Sequence, residues 1–326
     1  MKTGPRQAIV AVTYRCNARC SMCDIWRKDH IDEVEPSLYY HLPTSLREIN
    51  LTGGEPFLRN DLDTIVAVML ERAPRARIII SSNGLLVDRI TRLAPRLREL
   101  SPHLGVRISI DGDRETHDRV RGVEGAYDKA WASLAALRKG GVRDLGIGFT
   151  MVNGNEDQML PLYDRAAGEG LQFTSTVVHS SPIFFGEQND VAPDRDKAAA
   201  AYEQLRRRQL ASLRPKDWFR AAFTAGLRDM IEGRPRPIMC EGGTAFFFLD
   251  PYGMVYPCHV KDWPMGHLEE GYDRLLARND DVLERVRSCR ENCWMTCTVA
   301  PMMRRDLTAV AARVGWDRLR ALVRLY

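Results

Sequence analysis

The chain has 326 residues, a formal net charge of +4 and 44% hydrophobic residues. This length allows two domains or one domain with an appendage, and the hydrophobic content is sufficient for a large core. A charge of +4 does not indicate nucleic acid as the partner, because the arginines are spread along the chain instead of forming a basic-aromatic stripe. No run of 18 apolar residues is present, so no membrane span is predicted, and residues 1–6 lack the apolar region of a signal peptide.

Alternating strands and helices are predicted between residue 7 and about residue 180. Six apolar runs have the length and β-branched content of buried strands: Ala8–Val12, Glu48–Leu51, Ile78–Ser81, Val106–Ile110, Gly146–Val152 and Gln172–Val178. Helical patterns lie between several of them: Leu62–Arg72, Asp88–Leu100, Ala126–Lys139 and Glu156–Gly168. Repeated βα units predict a parallel sheet with right-handed crossovers, and six units are fewer than the eight of a closed barrel. Periodicity alone does not separate an open barrel from a doubly wound sheet.

The remainder of the chain is predicted to be helical first and cysteine-rich afterwards. A loop is predicted at Ser180–Gly186, and residues 194–232 have a helical pattern with a break near Pro215. The run Arg-Pro-Arg-Pro at residues 234–237 indicates a boundary. Beyond it, the predicted elements are a hairpin and two helices: Phe246–Leu249 with Met254–Tyr256, Tyr272–Arg287, and Trp316–Leu325.

Eight cysteines fall into two groups, three near the N-terminus and five after residue 239. In a cytosolic enzyme such groups more often bind metal than form disulfides. Thiolate ligands must also stay reduced to hold a metal cluster. We therefore expect a cytoplasmic, metal-binding protein.

The first group is Cys16, Cys20 and Cys23, which follow the first predicted strand with the spacing C-x3-C-x2-C. Three thiolates can hold three irons of a four-iron cluster and leave the fourth iron without a protein ligand, whereas ordinary ferredoxin clusters have four cysteines. A zinc site and unrelated buried cysteines are the alternatives.

The cysteine spacing resembles that of the radical S-adenosylmethionine (radical SAM) enzymes, in which the open iron binds the amino and carboxylate groups of SAM. One βα unit later, the second predicted strand ends in Gly53, Gly54, Glu55 and Pro56. Two glycines allow a close backbone approach, and Gly-Gly-Glu-Pro resembles the family motif that binds the SAM amino group. The resemblance implies an open (β/α)6 partial TIM-like barrel, a [4Fe–4S] cluster held by the three cysteines, and bound SAM.

Further candidate SAM contacts lie after the third, fourth and fifth strands, because ligands bind at the carboxyl ends of parallel strands. By resemblance, Ser109 and Asp111 are candidates for contact with SAM or substrate, and Asn83 is another. Arg121 is a candidate partner of the SAM carboxylate, and Asn153 a candidate contact of the adenosine. Turn caps and a surface arginine are the alternatives for these residues.

The sequence departs from the family pattern at one position. The residue before the third cysteine is often aromatic in the family and covers the adenine, but here it is Met22. The adenine contact must then be looser or come from elsewhere.

The second group of cysteines resembles the SPASM and shorter twitch domains of radical SAM enzymes. Its members are Cys240, Cys258, Cys289, Cys293 and Cys297. A full SPASM domain usually supplies seven or eight cysteines to two clusters, so five predict one auxiliary [4Fe–4S] cluster. We expect Cys240 and Cys258 as two ligands and two of the other three as the rest, with one thiol spare. Zinc is the alternative metal, because four thiolates also suit it.

The predicted division of the chain follows from this resemblance. Residues 1–190 are expected to form the radical SAM partial barrel, residues 191–236 a helical linker, and residues 237–326 a small cysteine-rich domain of SPASM or twitch type.

The resemblance implies an enzyme that reductively cleaves SAM to a 5′-deoxyadenosyl radical, which abstracts hydrogen from a substrate. The electron would come from a donor such as flavodoxin or ferredoxin. The first cysteine at residue 16 leaves no room for an N-terminal leader-binding domain, which favours a small polar, carbohydrate-like substrate. Dehydrogenation, epimerisation and decarboxylation are the candidate reactions. The enzyme class is correspondingly oxidoreductase, isomerase or lyase.

Three other functions are compatible with parts of the sequence. A maturase of a ribosomally made peptide is the alternative within the family. A two-cluster electron carrier explains the cysteines but neither Gly-Gly-Glu-Pro nor the long βα framework. A nucleic-acid-binding metal protein lacks the expected basic-aromatic stripe, so neither nucleic acid nor membrane is an expected partner.

Overall fold

The computed structural model describes residues 4–28, 32–183, 190–291 and 293–323. Six strands form a parallel sheet in chain order: β1 (Gln7–Thr13), β2 (Glu48–Gly53), β3 (Arg77–Ser82), β4 (Gly105–Ser109), β5 (Asp144–Met151) and β6 (Gln172–Val177). Five helices lie between these strands: α1 (Leu62–Arg72), α2 (Val87–Leu100), α3 (Arg114–Arg121), α4 (Ala126–Lys139) and α5 (Met159–Gly168). The sheet does not close on itself, which confirms the predicted open partial barrel.

Side-chain alternation along the strands separates the helix-covered core from the lumen. In β2, Ile49 and Leu51 are fully buried in the core, whereas Asn50 and Thr52 line an internal cavity. The same two-residue period places Ile78 and Ile80 of β3 in the core. The lumen side of the sheet is therefore free to carry polar groups.

Helix α3 is not among the predicted helices, because its sequence is almost entirely polar and has no apolar period. It forms because both ends are capped. Asp113 Oδ1 accepts a hydrogen bond of 2.9 Å from the Thr116 amide, and Gly122 adopts a left-handed conformation with φ of 62° just beyond the last residue.

The chain then forms a helical pair, α6 (Arg195–Ala211) and α7 (Pro215–Ile231), with the break where Pro215 predicts it. The predicted hairpin is present as β7 (Phe246–Leu249) and β8 (Met254–Tyr256), and a short β9 (Gly266–His267) follows. Strand β7 pairs in parallel with β1, so one nine-stranded sheet runs in the order β6-β5-β4-β3-β2-β1-β7-β8-β9. The cysteine-rich segment therefore extends the barrel sheet, and the domain bounds given above stay a prediction.

The last helices differ from their predicted bounds. The pattern at Tyr272–Arg287 is split into α8 (Tyr272–Arg278) and α9 (Asp280–Ser288). The split occurs at Asn279, whose Nδ2 donates to the Leu275 carbonyl at 2.8 Å and so ends the first helix. The helix α10 (Thr296–Arg305) is not predicted because it contains Pro301.

The final helix, α11 (Leu307–Val323), begins well before the predicted residue 316. Residues 324–326 and most of the predicted loop after Pro182 lie outside the described residues. None of the helices in the described ranges is long and apolar enough to cross a membrane.

Candidate active site

One cavity of about 490 Å³ runs along the lumen side of the sheet. Its upper end, at the carboxyl ends of the strands, is lined by Cys16, Cys20 and Cys23. Its lower end reaches the first residues of the strands, including Glu48 and Arg77. The structure therefore joins the N-terminal cysteines to the whole length of the lumen.

The cysteine loop is fixed by backbone hydrogen bonds to the end of α3. The Arg19 amide donates to the Arg121 carbonyl and the Ser21 amide to the Val120 carbonyl, both at 2.9 Å. A Cβ added at Gly122 would lie 2.6 Å from the Arg19 carbonyl oxygen, so glycine is required there. The loop and α3 thus form one rigid unit.

The glycine pair Gly53-Gly54 packs against the start of the same loop. The Gly54 amide donates to the Thr13 carbonyl at 2.7 Å, and the Glu55 amide to the Arg15 carbonyl at 2.9 Å. A Cβ at either glycine would lie 2.1 Å from one of these carbonyl oxygens. Both glycines line the cavity, and Pro56 begins a short 3-10 helix, Pro56–Leu58, beside them.

The sulfur atoms of the loop face hydrogen-bond donors. The Ala18 amide lies 3.5 Å from Cys16 Sγ, and Arg121 Nη1 lies 3.6 Å from Cys20 Sγ. Burial raises the pKa of Cys16 to about 11 and that of Cys23 to about 12, so the metal-free thiols are protonated at neutral pH. Iron binding would displace these protons, and the facing donors would then stabilise the thiolates. The three side chains fit the cluster that the sequence predicts.

The carboxylate of Glu55 is fully buried and is held by the protein itself. Its Oε1 accepts from the Phe57 amide at 3.1 Å and from Ser82 Oγ at 2.9 Å, and its Oε2 accepts from the Asn83 amide at 2.7 Å. Burial raises its pKa to about 7, although these three bonds favour the ionised form. The structure places Glu55 behind the cavity wall, where it fixes the turn after β3.

Asn83 is the cavity-lining residue of that turn. Its Nδ2 donates to Asn17 Oδ1 at 2.8 Å and lies 3.9 Å from Cys16 Sγ. A chain of contacts therefore runs from Glu55 through Asn83 to the cysteine loop.

Asp111 and Arg121 form a buried ion pair beside Cys20 of the cysteine loop. Asp111 is fully buried, and its Oδ2 accepts from Arg121 Nε at 2.7 Å and lies 2.6 Å from Nη2. Burial alone would lower the pKa of Arg121, but Asp111 and Cys20 raise it. Arg121 lines the cavity, as Ser109 does, whereas the Asp111 side chain is enclosed. Asp111 is thus placed to orient Arg121 and not to contact a ligand.

The structure places Asn153 on the surface, away from the cavity lining. Two residues later, Asn155 is fully buried, and its Nδ2 donates to the Asp111 carbonyl at 3.1 Å and to the Thr150 carbonyl at 3.0 Å. Sequence reasoning chose the asparagine directly after the strand. The buried asparagine is the one that follows Gly154, because this glycine has a left-handed conformation that turns the chain back towards the core.

Several cavity residues are absent from the sequence-based candidates. Met22 is buried against Val120 and Val152 at the cavity wall, and Trp26, three residues after the third cysteine, is a second large side chain there. Across the lumen, the half-buried His179 and the buried His259 line the cavity beside Met295.

Burial lowers the pKa of His179 to about 4 and that of His259 to about 3, so both imidazoles are neutral at pH 7.

The five C-terminal cysteines lie together as free thiols. Electrostatic interactions link Cys240 with Cys289, Cys258 with both Cys240 and Cys293, and Cys293 with Cys289. Arg236 Nη1 lies 3.2 Å from Cys293 Sγ. Burial is the largest cause that raises the pKa of Cys258 to about 12 and of Cys293 to about 11.

Cys297 differs from the other four because it lines the main cavity together with the N-terminal cysteines. Its Sγ lies 4.0 Å from His259 Nε2, and burial raises its pKa to about 12. This thiol therefore faces both the lumen and the C-terminal cysteine group.

Comparison with known proteins supports the family. Residues 10–166, from β1 to α5, match the radical SAM superfamily model. Fe-coproporphyrin III synthase of Methanosarcina barkeri is 34% identical over 163 residues, which cover 47% of this chain and 39% of that protein. AdoMet-dependent heme synthase of the same organism is 25% identical over 320 residues, covering 89% of this chain and 87% of that protein.

A maturation protein is also similar. The sporulation killing factor maturation protein SkfB of Bacillus subtilis is 25% identical over 285 residues, covering 82% of this chain and 63% of that protein. This chain thus spans well under half of the synthase named first and about two thirds of SkfB.

Among solved structures, anSMEcpe with bound AdoMet and the Cp18Cys peptide has a TM-score of 0.64 at 13% identity, over 95% of this chain and 99% of that one. It shows the fold. Radical SAM proteins contain a [4Fe–4S] cluster and SAM, and the three thiols at the head of the lumen suit that cofactor pair. Residues 10–166 of this chain are therefore a radical SAM domain.

Proposed function

We propose that this radical SAM enzyme binds its cluster and SAM at the upper end of the lumen and its substrate in the lumen below. The observation that carries the proposal is that Cys16, Cys20 and Cys23 open into the same cavity as Asn83 and Arg121. When bound, the reduced cluster supplies the electron that cleaves SAM to methionine and a 5′-deoxyadenosyl radical, which takes a hydrogen atom from the substrate.

The chain contributes binding and orientation. We assign the three cysteines to the cluster, and the backbone of Gly53-Gly54 to the SAM amino group. Asn83 and Ser109 supply polar side chains at the same level, and Arg121, which lines the cavity, would hold the carboxylate of SAM. Glu55 and Asp111 are positioning residues, because both are fully enclosed and act through Asn83 and Arg121.

We assign the auxiliary [4Fe–4S] cluster to Cys240, Cys258, Cys289 and Cys293. These four thiols are electrostatically linked, and Cys297 is linked to Cys258 and Cys293 as well. Of the five, Cys297 is the one that lines the lumen, and on that ground we assign it as the spare thiol. A thiol at that position contacts the substrate or donates hydrogen to it. The electron donor is expected to be a flavodoxin or ferredoxin.

The carbohydrate-like substrate has no support from the relatives named above, whose names concern heme, a porphyrin and a peptide killing factor. Peptide maturation is the second candidate function, favoured by the match to SkfB over 82% of this chain. Neither of these two candidate functions assigns the reaction to a class of oxidoreductase, isomerase or lyase.

The proposal is tested with the purified, iron-reconstituted chain, SAM and dithionite. We expect 5′-deoxyadenosine to form, as measured by liquid chromatography and mass spectrometry. The matched controls are the Cys16/Cys20/Cys23→Ala variant, which should form none, and the Cys240/Cys258→Ala variant, which should still form it. Product formation in the first variant would exclude the assigned cluster site.

A further inference from the structure

The lower end of the lumen contains a concentration of positive charge. Five cationic side chains line the cavity there, and they come from four separate elements, β3, β4, α7 and α10: Arg77, Arg107, Lys216, Arg220 and Arg304. No sequence motif contains them, and the assigned cluster and SAM contacts do not use them.

The carboxylates that pair with these cations do not balance them. Asp144 is shared, since it forms ion pairs with both Arg77 and Arg107, the latter at 3.0 Å. Asp217 lies 3.3 Å from Arg220.

The third carboxylate is that of Glu48, which lies 3.6 Å from Arg304. Within the described part of the chain, Lys216 makes no ion pair within 4.0 Å of a carboxylate. Five cations thus face three carboxylates.

The excess positive charge contributes to lowered pKa values of two of these cations. Burial, followed by Arg220, Arg107 and Arg77, lowers the pKa of Lys216 to about 8, while Asp217 opposes this. Burial, followed by Arg77 and Arg220, lowers the pKa of Arg107 to about 10, while Glu48 opposes this. Cations held together in a cleft are stabilised by an anion that enters it, and strongly perturbed groups in a cleft indicate a functional site.

The geometry also separates this charge from the cysteine loop. Arg77 begins β3 and Ser82 ends it. Five residue steps along a strand correspond to a rise of about 17 Å. A ligand that reaches from the level of Arg77 to the cysteine loop must therefore be elongated.

We propose that Lys216 and Arg220, with Arg107 beside them, form an oxyanion-binding subsite at the base of the lumen. The substrate carries a carboxylate or phosphate group there, at the end opposite to the abstracted hydrogen. This identification of the substrate class rests on the proposed function, whereas the binding of an oxyanion does not.

The test is calorimetric titration of the reconstituted full chain, without SAM, with inorganic phosphate in one arm and succinate in the other. We expect saturable one-to-one binding of one of the two anions, with the preferred one identifying phosphate or carboxylate as the group recognised. Loss of one charged hydrogen bond should weaken this binding roughly tenfold or more in Lys216→Gln and in Arg220→Gln. Lys216→Arg should retain most of it.

The matched control is Lys129→Gln, which removes the same charge from the exposed face of α4 and should leave the affinity unchanged. Equal affinities in the original chain, Lys216→Gln, Arg220→Gln and Lys129→Gln would overturn the subsite, and so would the absence of saturable binding. Thermal melting identifies any variant that fails to fold, and the remaining variant then decides.

The two proposals fail separately. If the chain forms 5′-deoxyadenosine but binds neither anion, only the subsite is rejected. If it binds an anion at Lys216 but forms no 5′-deoxyadenosine, the subsite stands and the proposed function is rejected.

Discussion

The two ends of the lumen satisfy their charged groups in opposite ways. At the upper end, Glu55 accepts three hydrogen bonds from the chain, and Asp111 neutralises Arg121. At the lower end, Lys216 and its neighbouring arginines exceed the available carboxylates. The upper end pairs its charged groups within the chain, whereas the lower end retains an excess of positive charge.

The largest expected effect is the difference in SAM cleavage between variants that lack the N-terminal cysteines and variants that lack the C-terminal ones. Replacing Cys16, Cys20 and Cys23 together with Ala should remove about four irons per chain and abolish SAM cleavage. Replacing Cys240 and Cys258 should remove a similar amount of iron but leave SAM cleavage intact. Iron analysis and 5′-deoxyadenosine assays check both, and unchanged iron in the second variant would contradict an auxiliary cluster at these cysteines.

Cys297 distinguishes a cluster ligand from a thiol that faces the lumen. We expect Cys297→Ala to keep its full iron content, since four other thiols are sufficient for a four-iron cluster, and to cleave SAM without forming the normal product. Cys289→Ala is the matched control and should lose iron. If Mössbauer spectra show iron loss in Cys297→Ala and none in Cys289→Ala, then Cys297 is the cluster ligand and Cys289 is the spare thiol.

Breaking the buried pair at the upper end should cost much of the folding free energy. Asp111→Asn leaves the Arg121 charge buried without its partner, so we expect the free energy of unfolding to fall by about 3–5 kcal/mol. The control is Asp128→Asn, whose exposed pair with Arg114 should contribute about 0–1 kcal/mol. Denaturant titrations compare the two, and equal losses would mean that burial adds nothing to the Asp111 pair.

The next effect concerns the indirect role of Glu55. Glu55→Ala should weaken SAM binding by roughly tenfold to a hundredfold with both clusters assembled, because it removes the charged acceptor that holds the Asn83 amide, a bond that contributes about 1.5–3 kcal/mol to the placement of this turn. If Glu55 acts by holding the β3 turn, Ser82→Ala should also weaken SAM binding, although its hydroxyl faces Glu55. Normal SAM affinity in Ser82→Ala, with weak binding in Glu55→Ala, would instead indicate direct contact between Glu55 and SAM.

The smallest effect is a pH dependence at the base of the lumen. Lys216 has a lowered pKa of about 8, and only its protonated form attracts an anion. Sulfate affinity should therefore be constant below pH 7 and fall above pH 8, by up to about tenfold per pH unit. Sulfate keeps its charge over this range, and Lys216→Arg should abolish the decrease, so a decrease that persists in that variant would assign it to another group.

Local sequence patterns were sufficient for the strands and for the cysteine loop. Each predicted barrel strand is present, with bounds that differ from the prediction by a few residues at most. Short apolar runs between helical patterns are typical of buried strands in a parallel sheet. Helix α3 was missed because its stability comes from the Asp113 cap and from docking to the cysteine loop. The buried position of Asn155 was not predicted for a similar reason, since it depends on contacts with Asp111 and Thr150. Asn153 as an adenosine contact stays a prediction.

The sequence by itself determined the alternation of strands and helices, the family resemblance and the N-terminal cysteine motif, because those features depend on residues close together in the chain. Tertiary structure alone decided that Glu55 and Asp111 are enclosed, that Cys297 faces the lumen, and that β7 joins the barrel sheet. It also assembled the cations at the base from β3, β4, α7 and α10. Charges so far apart in sequence produce no motif, and their mutual repulsion exists only once the fold has brought them into one cavity.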